Sequence, residues 1–185
     1  MNRGGGSACE RTCREDRQGI EASVQRVEQI LADGPVKQHG IGRDRTVVAG
    51  FSQGGGLALY TAYGEQNQAP FAACLACSAF LPDPSMLVPP VTATAAESAD
   101  AVADAAAPPS SGIPARLLST PLLMVHGTAD GVVPWRNSLS TFERLQKRAL
   151  LPHATYVTRK GMQHEIDELA LQHILTFIRK VLPPL

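Results

Sequence analysis

Three residues of this chain combine types and settings that suit nucleophilic catalysis. Ser52 lies in Gly50-Phe51-Ser52-Gln53-Gly54, Asp130 in His126-Gly127-Thr128-Ala129-Asp130, and His164 in Lys160-Gly161-Met162-Gln163-His164. A serine hydroxyl is a poor nucleophile at neutral pH and needs an adjacent base. His164 is the candidate base, taking the Ser52 proton and returning it to a leaving group. Asp130 is the candidate acid, holding the other imidazole nitrogen and fixing the tautomer. The Gln53 backbone N–H, at a helix start, would point to where an oxyanion forms. The glycines flanking Ser52 suit a sharp strand-to-helix turn, where side chains would strike the neighbouring strand and helix.

Such residues need elements that bring them together. Arg45–Phe51 is a short β-branched and apolar run, read as a buried strand ending at Ser52. Phe71–Ser78 and Leu122–His126 read the same way, and Ala154–Thr158 as a fourth strand. Ile20, Val24, Val27, Ile30 and Leu31 recur at helical spacing, predicting an amphipathic helix over 15–33 that Gly34-Pro35 weakens or stops. Helices are also predicted after Gly54-Gly55-Gly56, over Leu139–Ala149, and over Ala170–Val181. Strands separated by helices imply parallel pairing with right-handed crossovers. Ligands of such sheets bind at the carboxyl ends of the strands. Ser52, Asp130 and His164 all fall there, in the chain order of α/β-hydrolases. The expected fold class is α/β, with a mostly parallel sheet of about four strands and flanking helices; set beside the family resemblance that the motifs below carry, it is a partial α/β-hydrolase fold.

The remaining polar residues read more blandly. His126, before a glycine at a strand end, is expected to orient the loop that carries Asp130. His39, His153 and His173 lie in a turn, at a strand start and mid-helix, and are poor bases for Ser52. Asp44 precedes the first strand at its wrong end. Cys74 and Cys77 form a C-x-x-C, but within a strand, where positions three apart face opposite sides. They are expected to pack as small hydrophobes, with no metal and no redox role. Cys9 and Cys13 lie in a polar lead with no histidine nearby.

The 185 residues suffice for one domain, and 44% of them are hydrophobic. Seventeen basic side chains balance 17 acidic ones, which gives no electrostatic reason to expect nucleic acid as a partner. No run approaches the roughly 18 apolar residues of a membrane span, so no stable membrane insertion is expected. The first residues lack the apolar stretch of a signal peptide, and a cytoplasmic protein is the default. Residues 1–14 are expected to be a disordered lead and 15–185 one domain. Its Pro- and Ala-rich stretch at about 83–115 is of low complexity and reads as a surface insertion.

The runs Gly50-Phe51-Ser52-Gln53-Gly54-Gly55-Gly56-Leu57-Ala58-Leu59-Tyr60, His126-Gly127-x-x-Asp130-x-x-Val133-Pro134 and Gly161-Met162-x-His164 resemble the acyl-protein thioesterase / lysophospholipase / carboxylesterase family. Glu15–Ile20 is similar to its lead into the helix before the nucleophile strand, and Ser78 with Leu81-Pro82 to its next strand end. The resemblance covers about residues 15–82 and 116–185. It implies hydrolysis of carboxylic esters or acyl thioesters, with a lipidated protein or a lysophospholipid as substrate. It also implies Ser52 as nucleophile, Asp130 as acid and His164 as base, with no cofactor. The family begins with further strands and a histidine-glycine loop that supplies a second oxyanion donor, and nothing in residues 1–14 resembles them. A domain truncated in this way would have impaired activity and an unpaired edge on its nucleophile strand, open to self-association. Two other readings stay open: a non-catalytic fragment that pairs through that edge, and another acyl hydrolase of the same fold, such as a dienelactone hydrolase or a peptidase.

Overall fold

The computed structural model describes residues 16–67, 69–82, 84–87, 119–149, 151 and 153–184. The lead 1–14 and nearly all of the low-complexity stretch at 83–115 lie outside these residues. Four strands form one sheet: β1 (Val47–Phe51), β2 (Ala73–Cys77), β3 (Leu122–Gly127) and β4 (Ala154–Arg159). Their order is β1-β2-β3-β4, and every pairing is parallel. Helix α1 (Arg17–Leu31) precedes β1, α2 (Gln53–Tyr63) joins β1 to β2, α3 (Trp135–Ala149) joins β3 to β4, and α4 (Glu168–Val181) follows β4. The expected α/β architecture is thus the observed one.

The apolar runs explain the layering. Every residue of β2 and β3 is buried, as continuous hydrophobic strands covered on both faces should be. Alternate positions enter different cores. Cys74, Ala76, Leu122 and Met124 pack with Val24 of α1, Leu59 and Tyr63 of α2 and Leu145 of α3. Leu75, Cys77, Leu123 and Val125 pack with Ala170 and Ile174 of α4. Cys74 and Cys77 therefore face opposite sides, as their spacing predicts. Burial pushes the Cys77 thiol up to about 11 and the Cys74 thiol higher still, which keeps both protonated.

The end of α1 and its buried stripe refine the expectations for it. Gly34-Pro35 weakens the helix without ending helical winding: the α-helix stops at Leu31, and a π turn over Ala32–Val36 leads into a short helical turn, Lys37–His39. Pro35 has no N–H to donate back along the helix, and the wider turn accommodates that loss. Ile30 is not part of the buried stripe. It is 54% exposed, whereas Val24 is buried and Ile20 and Leu31 are half-buried against it. β1 also starts later than predicted, because Arg43–Arg45 forms a 3₁₀ turn.

That turn carries a polar node that secures α1 to the sheet. The Arg43 guanidinium pairs with Glu28 of α1, donates to Asn67 Oδ1 at 3.2 Å and to the Ala69 carbonyl at 3.4 Å, and lies 4.5 Å above the Phe71 ring. Both ends of the ion pair are about three-quarters buried. Arg43→Met would leave the mostly buried Glu28 carboxylate without its cation and the Asn67 amide oxygen with only the Ala69 N–H as donor. We expect a loss of about 1–3 kcal/mol in urea unfolding. A change under about 0.5 kcal/mol, the range of ordinary surface substitutions, would show that the node is dispensable.

Candidate active site

Ser52 stands where β1 meets α2, with φ 53° and ψ −123°. That conformation is costly for a residue with a side chain and marks a tight elbow. Its N–H donates to the Cys77 carbonyl at 2.8 Å, extending the β1–β2 ladder by one rung. Its carbonyl accepts from the N–H groups of Gly55 and Gly56 at 3.0 and 3.2 Å, which starts the helix. A Cβ on Gly50 would lie 2.0 Å from the Gly54 carbonyl oxygen, so the first glycine is sterically required. The second steric requirement is not where the motif suggests. Gly54 has nothing within 4 Å, whereas a Cβ on Gly55 would meet Ala79 Cβ at 2.6 Å. It is Gly55 that lets the helix approach the β2 end.

Asp130 and His164 come from two loops held against each other. Gly127 closes β3, and Ala129 N–H donates to the Met162 carbonyl at 3.1 Å. Gly161 N–H donates to Thr128 Oγ1 at 3.0 Å. The His164 loop is clamped at its base: Arg159, last in β4, pairs with Asp167 at 2.9 Å, and Asp167 caps α4 through the Ala170 N–H at 2.7 Å. A negatively charged cap at a helix N-terminus is favourable.

Ser52 Oγ lies 3.0 Å from His164 Nε2, and His164 Nδ1 lies 2.8 Å from Asp130 Oδ2. Asp130 Oδ1 accepts from the Val132 and Val133 N–H groups at 2.9 and 2.8 Å. The carboxylate side chain is fully buried. Burial works to raise its pKa, but the His164 hydrogen bond, the N–H groups of Val133 and Val132 and the attraction of His164 together hold it below the usual value. An ionised carboxylate only accepts. His164 Nδ1 therefore carries the proton, and Nε2 is left to accept from Ser52. His126 does what its place before Gly127 implies: Nε2 lies 2.9 Å from the Val133 carbonyl and 3.2 Å from Asp130 Oδ2. One neighbour escaped the sequence reading. The Phe51 ring sits 4.7 Å from the His164 ring, tilted by 47°. The only available cue was its position beside the nucleophile in the motif.

The sign of the Asp130 shift predicts an acid limb. A folded-state pKa below the unfolded value contributes stability above about pH 3.9, lost as pH falls through the folded value. Asp167 acts in the same direction, chiefly through its hydrogen bond from Arg159. Melting temperature should hold from neutral pH to about 4 and then fall. Asp130→Asn should make that fall shallower, and an equally steep limb in the variant would exclude Asp130 as a contributor.

A cleft of about 680 Å³ opens on Ser52, Gln53 and Gly54, walled by apolar groups including Ile20 of α1, Leu57 of α2, Phe80 and Val133. Gln53 is the first residue of α2, so its N–H has no carbonyl of a preceding turn to bond. Among the described residues no group of three or more His, Cys, Asp or Glu is arranged to hold a metal ion, and no helix is long and apolar enough to cross a membrane.

A profile of the phospholipase/carboxylesterase family matches residues 7–99 and 102–182. Two relatives from Dictyostelium discoideum, acyl-protein thioesterase 1 homologs 1 and 2, are 27% and 29% identical over 169 residues. Each alignment takes in 91% of this chain, which spans 62% and 64% of the relatives' lengths. Acyl-protein thioesterase 2 of Zea mays superposes with a TM-score of 0.66 at 20% identity, over 89% of this chain and 65% of that one. A carboxylesterase of Bacillus cereus gives 0.63 at 13% identity, over 90% and 63%. These two likenesses concern the fold alone.

Proposed function

This chain belongs to the phospholipase/carboxylesterase family, and on that premise we propose that it is a serine hydrolase of carboxylic esters or acyl thioesters. The observation that carries the reading is the hydrogen-bonded series Ser52–His164–Asp130, whose nucleophile end opens on an apolar cleft. Ser52 Oγ attacks the acyl carbon as its proton passes to His164 Nε2. The ionised Asp130 stabilises the imidazolium so formed. The Gln53 N–H donates to the oxyanion of the tetrahedral intermediate. Collapse expels the alcohol or thiol, which takes the proton from His164, and leaves an acyl-Ser52 ester. Water, deprotonated by His164, then releases the acid and restores the serine. The cleft suits an acyl chain, as in a lipidated protein or a lysophospholipid, and the names of the Dictyostelium relatives favour the thioester of an acylated protein.

A fluorophosphonate probe tests the reading. Ser52 of the folded chain should be labelled, and Ser52→Ala should not. A folded chain that stays unlabelled would refute catalysis. A second reading rests on a separate observation. Among the described residues β1 pairs only with β2, and Ala49 and Phe51 on it are exposed. An open apolar edge suits pairing with another chain. Sedimentation separates the two: a labelled, active monomer argues against association as the main role, and an unlabelled oligomer argues for it.

A further inference from the structure

Among the described residues four buried side-chain polar atoms have no hydrogen-bond partner, on Glu28, Ser78, His126 and Ser138, and two of these residues stand side by side at the ends of β2 and β3. Ser78 follows β2, is fully buried, and has a hydroxyl with no hydrogen-bond partner among the described residues. It also has a positive φ of 48°, which few residues other than glycine, asparagine and aspartate adopt cheaply. His126 of β3 is fully buried too, and its Nδ1 has no partner among the described residues. The ladder brings the two residues abreast. Cys77 is in register with Val125, and the Ser78 N–H donates to the Val125 carbonyl at 2.9 Å, so Ser78 follows that pair as His126 does.

Their chemistry is complementary. His126 Nε2 faces the Val133 carbonyl and the Asp130 carboxylate, both acceptors, so that nitrogen carries the proton. In the neutral ring Nδ1 is then a bare acceptor, and Ser78 has a hydroxyl to donate. Leaving either atom unpaired in the interior is costly, and buried polar atoms are nearly always paired, often through one ordered water. We propose that Ser78 is a positioning residue, its hydroxyl joined through a single buried water to His126 Nδ1. This fixes the His126 tautomer. The Nε2–H then steadies Asp130 Oδ2, the same oxygen that accepts from His164. The effect on turnover rests on the triad reading above; the bond itself does not.

The test uses the full chain with ¹⁵N-labelled histidine, Ser78→Ala and Ser78→Gly. Glycine accepts a φ of 48° freely, so it preserves a purely backbone role while removing the hydroxyl. Long-range ¹H–¹⁵N spectra of the parent should show His126 protonated at Nε2, with Nδ1 at the shift of a hydrogen-bonded acceptor. Both variants should move Nδ1 to the value of a free acceptor. With a short p-nitrophenyl ester, both should lower kcat by about 3- to 10-fold and leave KM near the parental value. A Ser78→Gly variant with parental Nδ1 resonance and parental kcat would overturn the proposal, as would a parent His126 protonated at Nδ1. If the parent hydrolyses no ester, the hydrolase reading fails on its own, and the imidazole resonance still decides this one.

Discussion

Ser52→Gly is expected to abolish ester turnover while leaving the fold as stable as before, or more so. The hydroxyl is the attacking atom of the proposed mechanism, and loss of a serine nucleophile typically lowers kcat by about 10⁴–10⁶-fold. The same residue is held at φ 53° and ψ −123°, a conformation natural only to glycine. Such strain costs on the order of 1–3 kcal/mol, and glycine relieves it while adding about 0.5–1 kcal/mol of unfolded-state entropy. The net change in urea unfolding should lie between about zero and 2 kcal/mol in favour of the variant. Ser52→Ala should lose turnover equally but keep the strain, and so gain nothing. Residual hydrolysis by the glycine variant near the parental rate would remove Ser52 from the mechanism. A clear loss of stability in that variant would show that the elbow is not strained.

Gly127→Ala should be strongly destabilising, like the corresponding change at Gly50, because the nearest atoms its methyl meets are all backbone. The added Cβ would lie 2.0 Å from the Met162 carbonyl oxygen and 2.8 Å from that of Gln163. Both obstacles are backbone, so no rotamer change relieves them. The loops must part, and the Ala129–Met162 hydrogen bond that ties them must lengthen. We expect a loss of about 3–5 kcal/mol in unfolding free energy. Asp130 lies on one of these loops and His164 on the other. Displacing them by about 1 Å should lower kcat/KM by about 100-fold under conditions where the variant is still folded. Gly131→Ala is the control: it lies on the same loop with nothing within 4 Å of its Cβ and should be nearly neutral. Parental stability in Gly127→Ala would mean that the loops yield without cost.

The parts legible in the sequence were those with a local cause. β2 and β3 are unbroken apolar runs, and a strand buried on both faces has to look that way. Ser52, Asp130 and His164 each follow a strand, and parallel strands put such ends on one rim. Features made by distant contacts were illegible. Arg43 reaches Glu28, Asn67 and Ala69, partners 15, 24 and 26 residues away, and no periodicity reports that. The glycine requirement fell on Gly55 and not Gly54 because it depends on Ala79, beyond β2. The helical turn Lys37–His39 beyond Pro35 was missed because three residues, none of them buried, are too few to carry a helical period.

The unequal support of the strands also has a consequence for how the site would lose its order. Cooperative opening starts where backbone bonding and burial are thinnest. β1 has one neighbour among the described residues and no buried side chain, and Ser52 rides on its end. β4 is outermost as well and likewise has no fully buried side chain, but its end is fastened by Arg159–Asp167 and by the bond from Gly161 to Thr128. Ser52 and the Asp130–His164 pair thus sit at sheet ends that are fastened unequally. Weakening the β1–β2 pairing should therefore lengthen the Ser52–His164 contact before it disturbs the one between His164 and Asp130.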